Sequence, residues 1–438
     1  MTPIWLKRLP DRLRARIEHR PNLQKALTNT GWLLGDKILR LGVGLLVGVW
    51  IARYLGPEQF GLMNYAMALV ALFGAVASLG LNGIVVRDLV RNPAGVNTTL
   101  GTAFLLQLIG GLLAFGLAVV VVSFVRSDDV LAKVMVAIFS FALVFKATEV
   151  VKYWFESQVN SKYAVWVENG VFLALAAIRV VLILNEAPLL AFVWAALAES
   201  VLAAALLLLV YANKVGKLSR WHASLPRAKC LLMESWPLIL VSMASMINMR
   251  MDQVMLGGMV NNTVVGHYSA AVRIAEVWLM IPGIIGASIY PAIISSKEIN
   301  EEIYRKRILR ITKLMAVFVL PTALIISLLA DQIIYLIYGA LYAPAGQYLA
   351  IYIWTGVPYL VFFVLNQMFY IEGLLKIAFW VSAFAVSSNV LLNLVLIPVY
   401  GGIGAAIATL ITSIGSTLLS LVILNSKTGI FWGDRGKV

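Results

Sequence analysis

TTLGTAFLLQLIGGLLAFGLAVVVVSFV, residues 98–125, carries no ionisable side chain. At about 1.5 Å per residue, a helix of that length exceeds the roughly 30 Å hydrocarbon core of a bilayer. A helix at the surface of a soluble protein needs a polar face. This one is apolar all round, so its natural surroundings are lipid and other apolar helices. On either side of it, comparable windows lie near 30–54, 61–86, 130–151, 163–184 and 188–213, with six more near 232–259, 266–295, 311–330, 344–371, 374–397 and 402–425. Hydrophobic residues make up 61% of the 438-residue chain and charged residues 13%, far from the balance of a soluble domain. The reading is an all-α integral membrane protein of about twelve transmembrane helices with almost nothing outside the bilayer.

A net charge of +14 would suggest a nucleic-acid partner for a soluble protein. Placed relative to the spans it becomes a topology signal instead, and no nucleic-acid partner is expected. With the start of the chain in the cytosol, only Arg53, Arg126 and Lys133 fall in external segments, while the cytosolic segments hold most of the other Lys and Arg residues. Both termini are therefore expected in the cytosol, with an even number of spans. Residues 1–28 carry Lys7, Arg8, Arg12, Arg14, Arg16, Arg20 and Lys25 without a continuous apolar run, so no cleavable signal peptide is expected. Trp5, Leu6, Leu9, Leu13 and Ile17 are spaced as in an interfacial amphipathic helix, limited by Pro10 and Pro21.

The largest segments between spans, 214–231 and 296–310, are both basic and cytosolic, and the external connections are short turns. The expected organisation is a cytosolic basic segment at 1–28, a first lobe of six spans at 29–213, a linker at 214–231, a second lobe at 232–426 and a tail at 427–438. A shift of 205 residues lays Gly61 on Gly266, Ala66 on Ala271 and the first two spans on the seventh and eighth. Such parallel repeats are a transporter architecture with a central cavity between lobes.

Chemistry of other kinds has little to build on. The single cysteine, Cys230, excludes an intrachain disulfide, and three histidines leave no Cys/His metal spacing. No Walker-type phosphate loop, H-E-x-x-H or G-x-S-x-G motif occurs, so neither an enzyme nor a cofactor is expected.

Charges inside the spans are the candidate functional residues: Asp36, Lys37 and Arg40 in the first, Arg250 and Asp252 in the seventh, Arg273 and Glu276 in the eighth. At that depth an ionisable group is costly unless it faces the bundle interior, water or a partner, so these should line a cavity. Asp36 with Arg40, and Arg273 with Glu276, are spaced to pair on one helix face. Lys37 and Arg250 have no such neighbour, and an anionic substrate is the natural match for them. Arg250 and Arg273 lie on oppositely directed helices about 10–12 Å below the outer face and should share one layer, whereas Lys37 and Arg40 lie nearer the cytosol. Lys37, Arg40, Arg250 and Arg273 are thus the candidate substrate contacts, at two levels. Asp36, Asp252 and Glu276 are candidates for proton or sodium coupling, and each could instead balance a neighbouring cation.

Other polar positions allow two readings each. Lys146, Glu149, Lys152 and Glu156 alternate in sign at spacings of three and four, as a ladder on one helix face or as snorkelling side chains. Glu168 and Glu199 suit an ion site or a local hydrogen bond. Asn366, Gln367, Asn389 and Asn393 suit sugar hydroxyls or interhelical hydrogen bonds. Pro282, Pro321 and Pro358 bend their spans, either for movement or as fixed shape.

Around the first two spans, Asn29, then Arg53-Tyr54-Leu55-Gly56-Pro57-Glu58-Gln59-Phe60-Gly61, then Asn64-Tyr65-Ala66, Gly80-Leu81 and Arg87 resemble the opening of the polysaccharide-transport family. These are the Wzx-type flippases of O-antigen and capsule assembly, in the multidrug/oligosaccharidyl-lipid/polysaccharide exporter superfamily. The R-x-L-G-P-E-x-F-G string carries the likeness; Met63 departs from the tyrosine frequent there. The resemblance implies a V-shaped pair of six-helix lobes in the bacterial cytoplasmic (inner) membrane. It implies transport of a polyprenyl-pyrophosphate-linked oligosaccharide by alternating access, through a cationic lumen that accepts the head group while the tail stays among the membrane lipids. Polymerase and chain-length proteins are the partners it suggests. The rivals are a multidrug or small-cation exporter of the same superfamily, which should hold an acidic lumen, and a polysaccharide polymerase or ligase, which needs a substantial external loop.

Overall fold

A computed structural model describes residues 21–431, and every regular element among them is helical. The amphipathic segment read in residues 1–20 and the tail beyond 431 lie outside the described residues. The helices are α1 (Pro21–Leu72), α2 (Gly74–Ser78), α3 (Asn82–Arg91), α4 (Val96–Val125), α5 (Val130–Phe141), α6 (Glu149–Ser157), α7 (Lys162–Leu184) and α8 (Leu189–Lys214). They continue as α9 (Leu225–Met259), α10 (Asn262–Ile299), α11 (Glu301–Leu328), α12 (Ala330–Tyr338), α13 (Ala345–Tyr352), α14 (Gly356–Ile371) and α15 (Leu375–Thr428).

Among the described residues, nine helical stretches are long and apolar enough to cross a membrane. Two of these each run across two apolar windows read from sequence: Lys376–Thr428 takes in nearly all of 374–397 and 402–425, and Leu27–Leu72 takes in 30–54 and the first part of 61–86. The pairs are separated by a single glycine with non-helical geometry, Gly56 (φ 70°, ψ 170°) in α1 and Gly401 (φ 55°, ψ −129°) in α15. At positive φ a Cβ would clash, so glycine is the residue that lets a helix reverse in so short a space. The window at 266–295 falls within α10. The chain is a multi-pass membrane protein, as its composition indicates.

Three expectations change in detail. The second window, 61–86, is not one helix: it breaks after Leu72, runs as α2 to Ser78 and restarts as α3 past Leu79 and Gly80, both at positive φ. The segment 296–310 is not a loop, because Asn300 alone separates α10 from α11; its side chain accepts from the Glu302 backbone N–H at 2.7 Å, with Glu301 and Glu302 in the first turn favouring the helix dipole. The 214–231 segment contains only a 3-10 turn at Leu218–Arg220 before α9 begins at Leu225.

The described chain divides into two compact units. The first takes residues up to 50, 73–124 and 133–240; the second takes 51–72, 125–132 and 241 onward. In the first, Leu81, Val85, Leu100, Val150, Phe155, Tyr211 and Leu231 form a buried core. The basic segment joins it: Trp221 packs on Tyr211 at 5.1 Å between ring centres, and His222 Nε2 meets Thr98 Oγ1 at 2.6 Å. Arg227 pairs with Asp88, and Arg87 with Glu234. In the second unit, Tyr304, Ile308, Leu365, Phe369 and Leu424 form the core.

The R-x-L-G-P-E-x-F-G string belongs to the second unit, where its parts have separate tasks. Arg53 donates from Nε to the Ile337 carbonyl at 2.8 Å and from Nη2 to Leu336 at 2.6 Å, capping the C-terminal end of α12. Tyr342 donates to the Ala52 carbonyl at 2.7 Å. A Cβ on Gly61 would run into the Asn262 carbonyl, and one on Gly266 into the Pro57 carbonyl. The shift of 205 residues that pairs Gly61 with Gly266 also pairs Pro57 with Asn262. The two equivalent turns therefore meet through equivalent backbone, each leaning on the other's glycine.

Candidate functional site

In the second unit, Asp252 on α9 is 5% exposed, although its depth led us to expect a cavity-lining position. Three neighbours donate to it: Tyr268 Oη on α10 at 2.6 Å, Asn393 Nδ2 on α15 at 2.7 Å and Thr409 Oγ1, beyond the Gly401 break, at 2.6 Å. Asn393 also donates to Asn389 Oδ1 at 3.1 Å, while its own Oδ1 is buried without a partner. Among the described residues no cation lies within ion-pair distance of Asp252. Desolvating a carboxylate costs several kcal/mol that neutral donors offset only in part. A proton or a small cation on Asp252 removes that cost, and the oxygens of Asn389, Asn393, Thr409 and Tyr268 are hard donors of the kind such a cation takes.

Of the paired asparagine readings, Asn389 and Asn393 therefore take the interhelical one, whereas Asn366 and Gln367 stand half-buried on α14. One helical turn around the same unit, Arg250 Nη1 meets Glu276 Oε1 across α9 and α10 at 3.4 Å. The sequence left Arg250 without a partner because helical spacing shows only contacts within one helix. Arg273 lies within electrostatic reach of Tyr338. Pro358 accepts a hydrogen bond from Thr417 Oγ1 at 3.0 Å and follows a 3-10 turn at Ile353–Thr355. Pro321 lies within α11, and the Pro282 side chain is outside the described set.

The first unit holds a second cluster. Asp36 and Arg40 pair on α1 as their spacing predicts, at 2.7 Å. Arg40 also reaches Glu168 on α7 at 3.5 Å and lies over the Phe172 ring at 5.3 Å. Lys152 on α6 meets the other Glu168 oxygen at 2.8 Å, and Arg179 meets Glu199 at 2.7 Å. Lys37, by contrast, is exposed. The expected ladder of Lys146, Glu149, Lys152 and Glu156 makes no ion pair within itself among the described residues. Residues Ala142–Thr148 wind as a 3-10 helix, which shifts Lys146 out of register, and Lys152 turns to Glu168 instead. Arg40, Lys146, Glu149, Glu168, Glu199 and Ser200 border a cavity of about 280 Å³.

Sequence reading brought Asp36, Arg40, Asp252 and Glu276 forward and paired Asp36 with Arg40, but it missed the partners on other helices: Glu168 for Arg40, Arg250 for Glu276, and Tyr268, Asn393 and Thr409 for Asp252. Thr409 and Tyr268 carry no signal beyond being polar in apolar windows.

Residues 26–297 match the model of a family described as polysaccharide biosynthesis protein. A stretch of 173 residues is 30% identical to the probable flippase AglR of Haloferax volcanii, covering 38% of this chain and 36% of that protein, so the chain matches about a third of that relative's length. The fold is similar to that of a multidrug resistance MATE family transporter of the MOP superfamily in an inward-facing conformation, with TM-score 0.72, 16% identity, and 89% and 94% of the two chains covered. It is also similar to the lipid II flippase MurJ in an inward closed conformation, with TM-score 0.71, 16% identity, and 91% and 87% covered. At such identities the likeness is one of fold.

Proposed function

The chain belongs to the polysaccharide biosynthesis protein family, and on that premise we propose that it is a flippase rather than an enzyme. It carries a polyprenyl-pyrophosphate-linked oligosaccharide across the bacterial cytoplasmic membrane by alternating access, driven by a proton or sodium ion. The observation that carries this reading is Asp252, buried among neutral donors from α10 and from both sides of the Gly401 break in α15. A scaffold has no use for such a carboxylate, whereas a transporter can fill and empty it in each cycle. Asp36 and Glu276 are the further coupling candidates, and each also balances an arginine.

The head group's negative charge is matched by cations from two lobes of six spans, Lys37 and Arg40 from the first and Arg250 and Arg273 from the second. Guanidinium suits phosphate because it binds two oxygens at once and sheds water more readily than an ammonium group. Arg40 and Arg250 already have carboxylate partners, so the substrate must compete for them. The segment at 214–231 joins the lobes on the cytosolic side, both termini lie in the cytosol, and a polymerase and a chain-length protein take the product.

Depleting the protein in its host and probing where lipid-linked oligosaccharide accumulates tests this reading. Accumulation at the cytosolic face supports it. An unchanged distribution, with increased sensitivity to toxic organic cations, would favour the exporter that the MATE-like fold equally suits.

A further inference from the structure

The cavity in the first unit is bordered by two cations and three carboxylates, and most of them are already satisfied. Arg40 is held by Asp36 and Glu168, Glu168 is shared with Lys152, and Glu199 is held by Arg179. What remains is the Lys146 ammonium, with no ion pair or hydrogen bond among the described residues, and the Glu149 carboxylate, whose contact is a long one from the Tyr153 hydroxyl at 3.4 Å. The Lys146 side chain is half-buried and borders the cavity. Its Nζ lies 3.6 Å from where a Cβ on Gly74 would stand, beside the break in the second window. A 3-10 stretch as long as Ala142–Thr148 is uncommon, and within a span such a stretch often marks a functional position. Lys146, within that stretch, and Glu149, the first residue of α6, both border the cavity without forming an ion pair.

We propose that Lys146 is the first unit's contact for a phosphate oxygen of a diphosphate-bearing lipid head group, with Glu149 as the resident counter-charge that this group displaces. The proposal rests on the flippase reading and moves the anion contact from Arg40, whose charge is matched twice over, to the cation whose charge is not. An ammonium within a span is a functional candidate by default when no protein partner neutralises it. A cavity of about 280 Å³ accommodates a phosphate-sized group beside that ammonium.

The test measures binding of farnesyl diphosphate and of farnesol to the purified full-length protein in detergent. The wild type should prefer the diphosphate. Lys146→Gln should weaken diphosphate binding about tenfold, the loss expected for one charge-assisted hydrogen bond, and leave farnesol binding unchanged. Lys146→Arg should retain most of the preference, and Glu149→Gln should tighten diphosphate binding. The opposite signs matter, since a purely structural Lys146–Glu149 pair predicts that both neutral variants lose stability and affinity alike. Should Lys146→Gln fail to fold, Lys146→Arg and Glu149→Gln still decide the sign. Unchanged diphosphate affinity in Lys146→Gln would overturn the assignment. A wild type that bound farnesol and farnesyl diphosphate equally would instead overturn the flippase reading beneath it.

Discussion

Replacing Asp252 with asparagine separates shape from charge, because the amide fits between Tyr268, Asn393 and Thr409 but cannot take up a proton or hold a cation tightly. In vesicles with an imposed proton or sodium gradient, Asp252→Asn should transport at a low rate independent of the gradient, with protein level unchanged. A variant that still followed the gradient would remove Asp252 from the coupling step. Arg53 offers a test of stability at the same scale. It donates to two main-chain carbonyls at the end of α12, and hydrogen bonds involving a charged group contribute about 1.5–3 kcal/mol. Arg53→Ala should lower the thermal unfolding temperature by that order of effect, and an unshifted transition would show that water replaces the cap. Individual residues were legible only in part. Asp36 and Arg40 announce their contact through spacing, whereas Arg250–Glu276 and Lys152–Glu168 join different helices, about which periodicity within one helix says nothing.

Helices are where the sequence speaks most clearly, since a run such as 98–125 has no alternative but a span. The breaks inside spans were not readable, because hydropathy averages over them: the interruption at Leu79 and Gly80 and the 3-10 stretch at Ala142–Thr148 both lie within apolar text. The repeat, by contrast, acquires physical content at its glycines. Gly61 and Gly266 have no room for a side chain where their turns meet. Overpacking of this kind typically costs about 1–3 kcal/mol, more when backbone must move. Gly266→Val should therefore unfold at a markedly lower temperature, while Gly258→Ala, which meets open space, should not. Equal behaviour of the two variants would contradict the close approach of the turns.

At the scale of the whole chain, composition was enough to indicate a polytopic membrane protein, and the uneven placement of Lys and Arg predicts its orientation. Residue 222 should be cytosolic, so an externally active phosphatase fused there would reverse the topology. The substrate was not legible in the same way, because charge inside a membrane points to a polar cargo without naming it; the match over residues 26–297 gives the family. The most direct measurement reconstitutes the purified protein in sealed vesicles carrying a polyprenyl-pyrophosphate-linked oligosaccharide on the inner leaflet. A membrane-impermeant, sugar-modifying reagent outside then reports its arrival. We predict that labelling rises with time beyond that of protein-free vesicles, faster under an ion gradient, and that Asp252→Asn abolishes the gradient's effect. Labelling indistinguishable from protein-free vesicles, by protein correctly inserted and folded, would contradict the account.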